Sequence, residues 1–249
     1  MRILVTGGAG VVGSHYVRAV RSGAYPGCRD ARLTVLDTRA AARAGADGCD
    51  VVRGDVGDRA LLARVLPGHD AVVHLAESRV DRSPESTGEL VRTNVMGTQA
   101  LLDACSAAGI PRLVLLSTVE VYGAAGRGPD SPYAASKAAA DLLAHAHWRS
   151  YGLHLSIIRC AVWVPVERLC RAIHLVLTRG GAGETYDLGA YRAGSASSTG
   201  GSKAFIGRSG MSARTATVSD RIVNGPYEPT IAARSSGNGR ASSRSPLAE

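Results

Sequence analysis

A chain of 249 residues with 45% hydrophobic side chains can bury one α/β core plus an appendage, and no apolar run approaches the length of a membrane span. Its five cysteines are odd in number and widely spaced, and they contain no Cys-x-x-Cys pair, which argues against a disulfide framework and a zinc site. Most of the net charge of +8 falls in residues 191–249, where eight basic residues face Asp220, Glu228 and Glu249, so the rest is only mildly basic.

In chain order the sequence alternates β-branched runs with segments of helical period, the mark of βαβ units and a parallel sheet. Strands are expected at residues 3–6, 33–36, 51–53, 71–75, 112–117 and 155–159, and helices at 13–22, 59–66, 89–108 and 133–151. Several strands are nearly continuous apolar runs, as expected where both sheet faces are covered. The fold class is therefore α/β, a Rossmann-type doubly wound parallel sheet. The opening run Ile3-Leu4-Val5 is broken at once by glycines, so the protein reads as unprocessed and soluble, without a membrane segment, and the cysteine pattern fits a reducing cytoplasm. From about residue 191 the chain turns to Ser, Gly, Ala, Thr and Arg with little apolar periodicity, and a largely disordered tail is expected over 191–249. Its charges stand singly among Ser and Gly without interleaved aromatics, which gives no reason to expect a nucleic-acid partner.

The run Val5-Thr6-Gly7-Gly8-Ala9-Gly10-Val11-Val12-Gly13-Ser14 leaves a strand, turns on glycines and enters a helix. Gly7 and Gly8 permit the tight turn, Gly10 lets backbone approach a pyrophosphate, and Gly13 lets helix pack on strand, while the helix N-terminus attracts phosphate. Asp37 ends the second strand at the spacing from which a carboxylate binds the adenosine ribose hydroxyls, which favours NAD over NADP. Arg39 works against that choice, and an aspartate that only caps a turn stays open. Asp55, after the third strand, is placed to reach the adenine or to cap its own turn.

Tyr133 and Lys137 lie four apart on one helical face, where the ammonium favours a phenolate that can serve as general base. Ser117-Thr118 ends the preceding strand and offers a hydroxyl to the same oxygen. His15, His74, His154 and His174 lack ligand spacing and read as packing or capping residues, so no metal is expected.

These residues, with Val73-His74-Leu75-Ala76-Glu77-Ser78-Arg79-Val80-Asp81-Arg82-Ser83, Arg92-Thr93-Asn94-Val95-Met96-Gly97-Thr98, Leu116-Ser117-Thr118-Val119-Glu120-Val121-Tyr122-Gly123 and Ser131-Pro132-Tyr133-Ala134-Ala135-Ser136-Lys137-Ala138, are similar to the extended short-chain dehydrogenases. Within that group they resemble the dTDP-glucose 4,6-dehydratases of deoxysugar biosynthesis, as do Ile158-Arg159-Cys160 and Cys170-Arg171-Ala172-Ile173-His174-Leu175-Val176-Leu177.

The resemblance implies NAD held by Gly7, Gly10, Val11, Val12, Gly13, Asp37, Asp55, Val56, Leu75, Ala76, Tyr133 and Lys137. It also implies a nucleotide-sugar substrate at Ser78, Thr118 and Glu120, and a homodimer through helices 89–108 and 133–151. In the implied reaction Tyr133 takes the sugar C4 hydroxyl proton as the C4 hydride goes to NAD. Glu120 then takes the C5 proton, an adjacent aspartate protonates the departing C6 hydroxyl, and hydride returns to C6.

The sequence departs from the pattern in three places. Val119 stands where that aspartate belongs, leaving Glu120 to shuttle both protons, and Arg79 replaces a histidine. After Cys160 the long substrate-binding segment is shortened, so the division expected is 1–160 NAD-binding Rossmann domain, 161–190 truncated substrate subdomain and 191–249 tail. Two further readings follow: a nucleotide-sugar 4-epimerase, which needs no acid at 119, and a catalytically silent NAD-binding protein.

Overall fold

The computed structural model describes residues 1–39, 48–79, 87–189 and 215–217. Strands β1 (Arg2–Thr6), β2 (Arg32–Asp37), β3 (Asp50–Arg53), β4 (Ala71–His74), β5 (Leu113–Thr118), β6 (Leu155–Cys160), β7 (Thr185–Leu188) and β8 (Thr215–Thr217) form one sheet in the order β3-β2-β1-β4-β5-β6-β7-β8. Every neighbouring pair is parallel. All of β4 and β5 is buried, because helices cover both faces. The fold is the doubly wound Rossmann-type sheet expected from the sequence.

One face is covered by α1 (Val11–Arg21) and α6 (Val166–Arg179), whose Tyr16, Val17, Ile173 and Leu177 pack with Ile3, Val5 and Val114. The other face lies under α2 (Arg59–Val65), α4 (Thr98–Ala107) and α5 (Pro132–Tyr151), with Leu62, Leu101, Leu102 and Ala144 against Leu4, Val72, Leu115 and Ile157. The chain reverses direction across the sheet at β1, which pairs with β2 on one side and β4 on the other. The crevice beyond the carboxyl ends of β1 and β4 is where ligands bind in such sheets.

Three features differ from the sequence reading. The helix expected over 89–108 is α3 (Thr87–Leu90), a π-helical stretch Val91–Gly97 and α4. Helix α6 and strand β7 lie beyond the elements read from the sequence, although Leu169, Cys170, Ile173, Val176 and Leu177 follow a helical apolar stripe. Within the segment expected to lack structure, Thr215–Thr217 forms β8 beside β7, and the rest of 191–249 lies outside the described residues. No helix of the described residues is long and apolar enough to cross a membrane.

Candidate active site

Gly7 sits at φ +70°, and a Cβ there would press on the backbone of Leu75 and Ala76. A Cβ on Gly13 would run into the Gly7 carbonyl oxygen and the Gly8 backbone, so only glycine allows α1 to start this close to β1. Gly10 is the N-cap of α1, no side chain caps that end, and no acidic residue stands in its first turn. Unsatisfied N–H groups and a positive dipole therefore face the crevice from this helix end. Val11 is exposed at the mouth.

Asp37 is buried at the end of β2 beside this loop. Its Oδ2 accepts from the Ala9 amide at 2.9 Å, and its Oδ1 accepts from the Arg39 amide at 2.9 Å and from Arg39 Nε at 3.1 Å. The carboxylate thus reaches the expected place but also caps a turn and pairs with Arg39. Asp55 is exposed, and its Oδ1 accepts from the Gly57 amide at 2.7 Å. Val56 is buried against Gly97, where a Cβ would collide with it.

Beneath the crevice His74 joins Thr6 Oγ1 at 2.7 Å to Thr98 Oγ1 at 3.0 Å. Full burial, reinforced by the Lys137 charge, pushes its pKa down to about 3, so the ring is neutral. Thr6 Oγ1 in turn accepts from the Leu75 and Ala76 amides, both at 3.3 Å. A packing role is also what the other three histidines show: His174 stacks on Tyr25, while His15 and His154 bond to backbone carbonyls.

Helix α5 carries the candidate pair Tyr133 and Lys137. The Ser131 side chain accepts from the Ala134 amide, Pro132 follows the cap, and left-handed Gly152 closes the far end. Tyr133 is thereby placed in the first turn and Lys137 one turn on, where Lys137 Nζ donates to the Leu116 carbonyl at 2.7 Å. Both side chains meet a residue that the sequence reading did not single out. The Tyr133 hydroxyl donates to Glu77 Oε2 at 3.0 Å, and Lys137 Nζ stands 3.2 Å from the same oxygen. Burial first, then the Glu77 charge, push the Tyr133 phenol above its ordinary pKa, with Arg79 pulling the other way. The chain around Glu77 is held by Asn94 from the π-helical stretch, whose Oδ1 accepts from the Ser78 amide and whose Nδ2 donates to the Ser78 carbonyl. Asn94 Nδ2 also donates to Ser136 Oγ, tying this loop to α5.

Opposite them, Thr118 ends β5 and its hydroxyl accepts from the Glu120 amide at 3.2 Å, capping the 3-10 turn Val119–Tyr122. Glu120 points to the cavity and pairs with Arg79 at 3.5 Å, whose guanidinium also lies 4.8 Å over the Tyr133 ring. Val119 is only 4% exposed and packs inward. Tyr122 anchors the turn from behind: its hydroxyl donates to Asp187 and accepts from Arg159 Nη1 at 2.7 Å, and Arg159 Nε donates to Asp141 at 2.8 Å. The resulting cavity of about 220 Å³ is lined by Val11 and Val12, by Glu77, Arg79, Thr118, Glu120 and Tyr133, and by Cys160 and Val162. Only residues 161–165 separate β6 from α6, and they leave Val162 and Trp163 exposed at this edge.

Thr118, Glu120 and Tyr133 therefore converge on one cavity, adjoining the glycine turn, with Lys137 buried behind them on the same Glu77 oxygen as Tyr133 and Ser78 held by its backbone behind Glu77. Such an arrangement can move a proton at a carbinol oxygen and, a few ångströms away, at a neighbouring carbon.

The model of the NAD dependent epimerase/dehydratase family matches residues 3–165. The dTDP-glucose 4,6-dehydratase of Streptomyces niveus is 40% identical over 243 residues, covering 76% of this chain and 72% of the relative. Among solved structures, the dTDP-glucose 4,6-dehydratase DesIV from Streptomyces venezuelae with NAD bound is 39% identical, with a TM-score of 0.70 over 76% of this chain and 75% of the other. The UDP-glucose 4-epimerase of Thermus thermophilus in complex with NAD is 26% identical, with a TM-score of 0.66 over 76% and 78%. With six of the eight strands of its sheet, β1 to β6, and the whole candidate cluster inside the matched region, the chain belongs to the NAD dependent epimerase/dehydratase family.

Proposed function

We propose that this chain is an NAD-dependent lyase that converts dTDP-glucose, or a close nucleotide hexose, to its 4-keto-6-deoxy form. The observation that carries the reading is the meeting of Tyr133, Thr118 and Glu120 in one cavity beside a glycine turn, with Lys137 sharing Glu77 with Tyr133 behind it, in a chain 36–40% identical to several dTDP-glucose 4,6-dehydratases.

The residues present fit a dinucleotide: the crowding at Gly7 and Gly13 leaves a backbone cradle at an uncapped helix end. Gly7, Gly10, Val11, Val12 and Gly13 would hold the pyrophosphate, Asp37 the ribose, Asp55 and Val56 the adenine side, and Leu75 and Ala76 the nicotinamide side. When bound, NAD supplies reversible storage of the hydride taken from C4 and returned to C6. Thr118 donates a hydrogen bond to the C4 oxygen, Tyr133 receives its proton, and Lys137 steadies the developing phenolate. Glu120 takes the C5 proton once the C4 ketone has made it acidic, and Ser78 borders the sugar.

Mass spectrometry of dTDP-glucose incubated with the protein and NAD tests this directly. The expected product is lighter by one water; an unchanged sugar nucleotide with NAD bound contradicts it. The buried apolar Val119 beside Glu120 favours a second reading, a nucleotide-sugar 4-epimerase, which yields an isomer of unchanged mass separable by chromatography. Silent cofactor binding gives neither product.

The same reading divides the chain into a cofactor-binding unit over 1–160 and a shortened substrate side over 161–190. Five free thiols suit a reducing cytoplasm. Exposed Val91, Met96 and Leu142 on the helical stretch 87–107 and α5 support a homodimer through those helices. Sedimentation at micromolar concentration should give twice the monomer mass; monomer alone contradicts it.

A further inference from the structure

Elimination of water from a 4-keto sugar needs one group to take the C5 proton and a second to protonate the departing C6 oxygen within the same cavity. Glu120 serves as the first. Among the described residues lining the cavity, the candidates for the second are few. Val119, beside Glu120, is apolar and buried. The Arg79 guanidinium does not release its proton in proteins. Burial pushes the Cys160 thiol up to about 12. The hydroxyls of Ser117 and Thr118 are poor acids and Tyr133 is engaged at the C4 oxygen. Glu77 remains: it lines the cavity, is partly buried, and its Oε2 accepts the Tyr133 hydroxyl at 3.0 Å and lies 3.2 Å from Lys137 Nζ. Asn94 grips both backbone groups of the next residue, Ser78, which fixes where this carboxylate starts.

We propose that Glu77 is the general acid of the elimination, loaded with the proton that leaves the C4 hydroxyl. The proposal rests on the 4,6-dehydratase reading. As the C4 O–H bond breaks, its proton moves to the Tyr133 oxygen and the proton already there passes along the existing hydrogen bond to Glu77 Oε2. The C4 hydrogen leaves with its electron pair to the oxidised nicotinamide cofactor, and C4 becomes a ketone. Glu120 then takes the C5 proton; the electrons of that bond form the C5–C6 double bond as the C6–O bond breaks. The Glu77 proton joins the departing hydroxide, making water. Hydride return to C6 and proton return from Glu120 to C5 leave Glu77 ionised, as it began. The proton lost at C4 is thus the one that leaves in water, and no outside acid is required.

The test compares the parent enzyme and E77Q on dTDP-glucose and on its 6-deoxy-6-fluoro analogue, whose fluoride departs with little need of a proton. Glutamine keeps the shape and a hydrogen-bond acceptor for Tyr133 but has no proton to give. Because the C4 proton also passes to Glu77, E77Q slows the shared C4 step equally on both substrates, and the ratio of fluoride release to water loss isolates the elimination. Expected is a ~10²- to 10⁴-fold slower loss of water by folded E77Q, with fluoride release slowed at least ~10-fold less than water loss. Equal losses on both substrates, or no loss on either, overturn the acid role while leaving the dehydratase reading intact. A parent enzyme that binds NAD yet eliminates neither water nor fluoride overturns both. If E77Q does not fold, E77A supplied with formate replaces it: restored water loss supports the proposal and its absence overturns it.

Discussion

Tyr133 and Lys137 compete for one carboxylate oxygen of Glu77, and this governs how the site titrates. Burial and that carboxylate hold the phenol above its ordinary range, so Tyr133 enters turnover protonated and hands its proton to Glu77 as it takes the sugar's; turnover should stay level through the neutral and mildly alkaline region, and a steady climb with pH would contradict the relay. Tyr133→Phe should lower turnover ~10²- to 10⁴-fold at every pH, with NAD binding retained; full activity would remove the tyrosine from the chemistry. His74 sets a second pH dependence, in stability. Its folded pKa of about 3 lies below the ordinary 6.5, so between those values the unfolded chain holds a proton that the folded one does not. Stability should therefore fall as pH drops from 6.5 toward 3, by about 1.4 kcal/mol per pH unit for this one proton. His74→Gln should flatten the acid slope of the unfolding free energy, read from urea titrations, by that amount, and an unchanged slope would contradict the assignment. At this scale Tyr133, Lys137 and Thr118 were legible because spacing along one helix or one strand end places them, and Glu120 was legible through the family resemblance. Glu77 was not, since its partner stands 56 positions away and only the sheet brings them together.

Helix α1 illustrates how an element carries the site. Its start is pressed so closely on β1 that Gly13→Ala must push the helix away from the Gly7 carbonyl, moving the N–H groups that would face a pyrophosphate. Gly13→Ala should lower both the melting temperature and the rise in melting temperature that NAD gives the parent; an unchanged NAD-induced rise would show that the cradle does not depend on this contact. The turn Val119–Tyr122 is held in a comparable way through Tyr122. Removing its hydroxyl leaves Arg159 and Asp187 to face each other part-buried without their shared partner, a loss of about 1–3 kcal/mol. Tyr122→Phe should therefore unfold at lower urea and also slow turnover, because Glu120 rides on the same turn. The glycine turn was legible because strand, turn and helix follow at fixed spacing. The π-helical stretch was not, since Val91–Gly97 keeps an ordinary helical pattern and only its packing on α4 and α5 adds the extra residue per turn that presents Asn94. Strand β7 escaped for another reason: its four residues TYDL alternate too briefly to read as a strand until β6 is beside them.

Across the whole molecule, two apolar cores on opposite faces of one parallel sheet fix the crevice at β1 and β4, and every group assigned a role in the chemistry comes from that end of the sheet. The architecture was readable from the alternation of buried strands and amphipathic helices; the shortened link 161–165 was readable only as a departure from a pattern, and its consequence for substrate grip is a matter of measurement. Where this short link lessens remote contact to the nucleotide, both affinity and turnover should fall below those of relatives with the longer segment. The most direct test of the account follows the sugar's own hydrogen: dTDP-glucose carrying deuterium at C4 is incubated with the protein and NAD, and the product is examined by mass spectrometry and NMR. The account predicts loss of one water with the deuterium relocated to C6. Water loss without deuterium at C6, or deuterium returned to C4 with inverted configuration and no water lost, would contradict it.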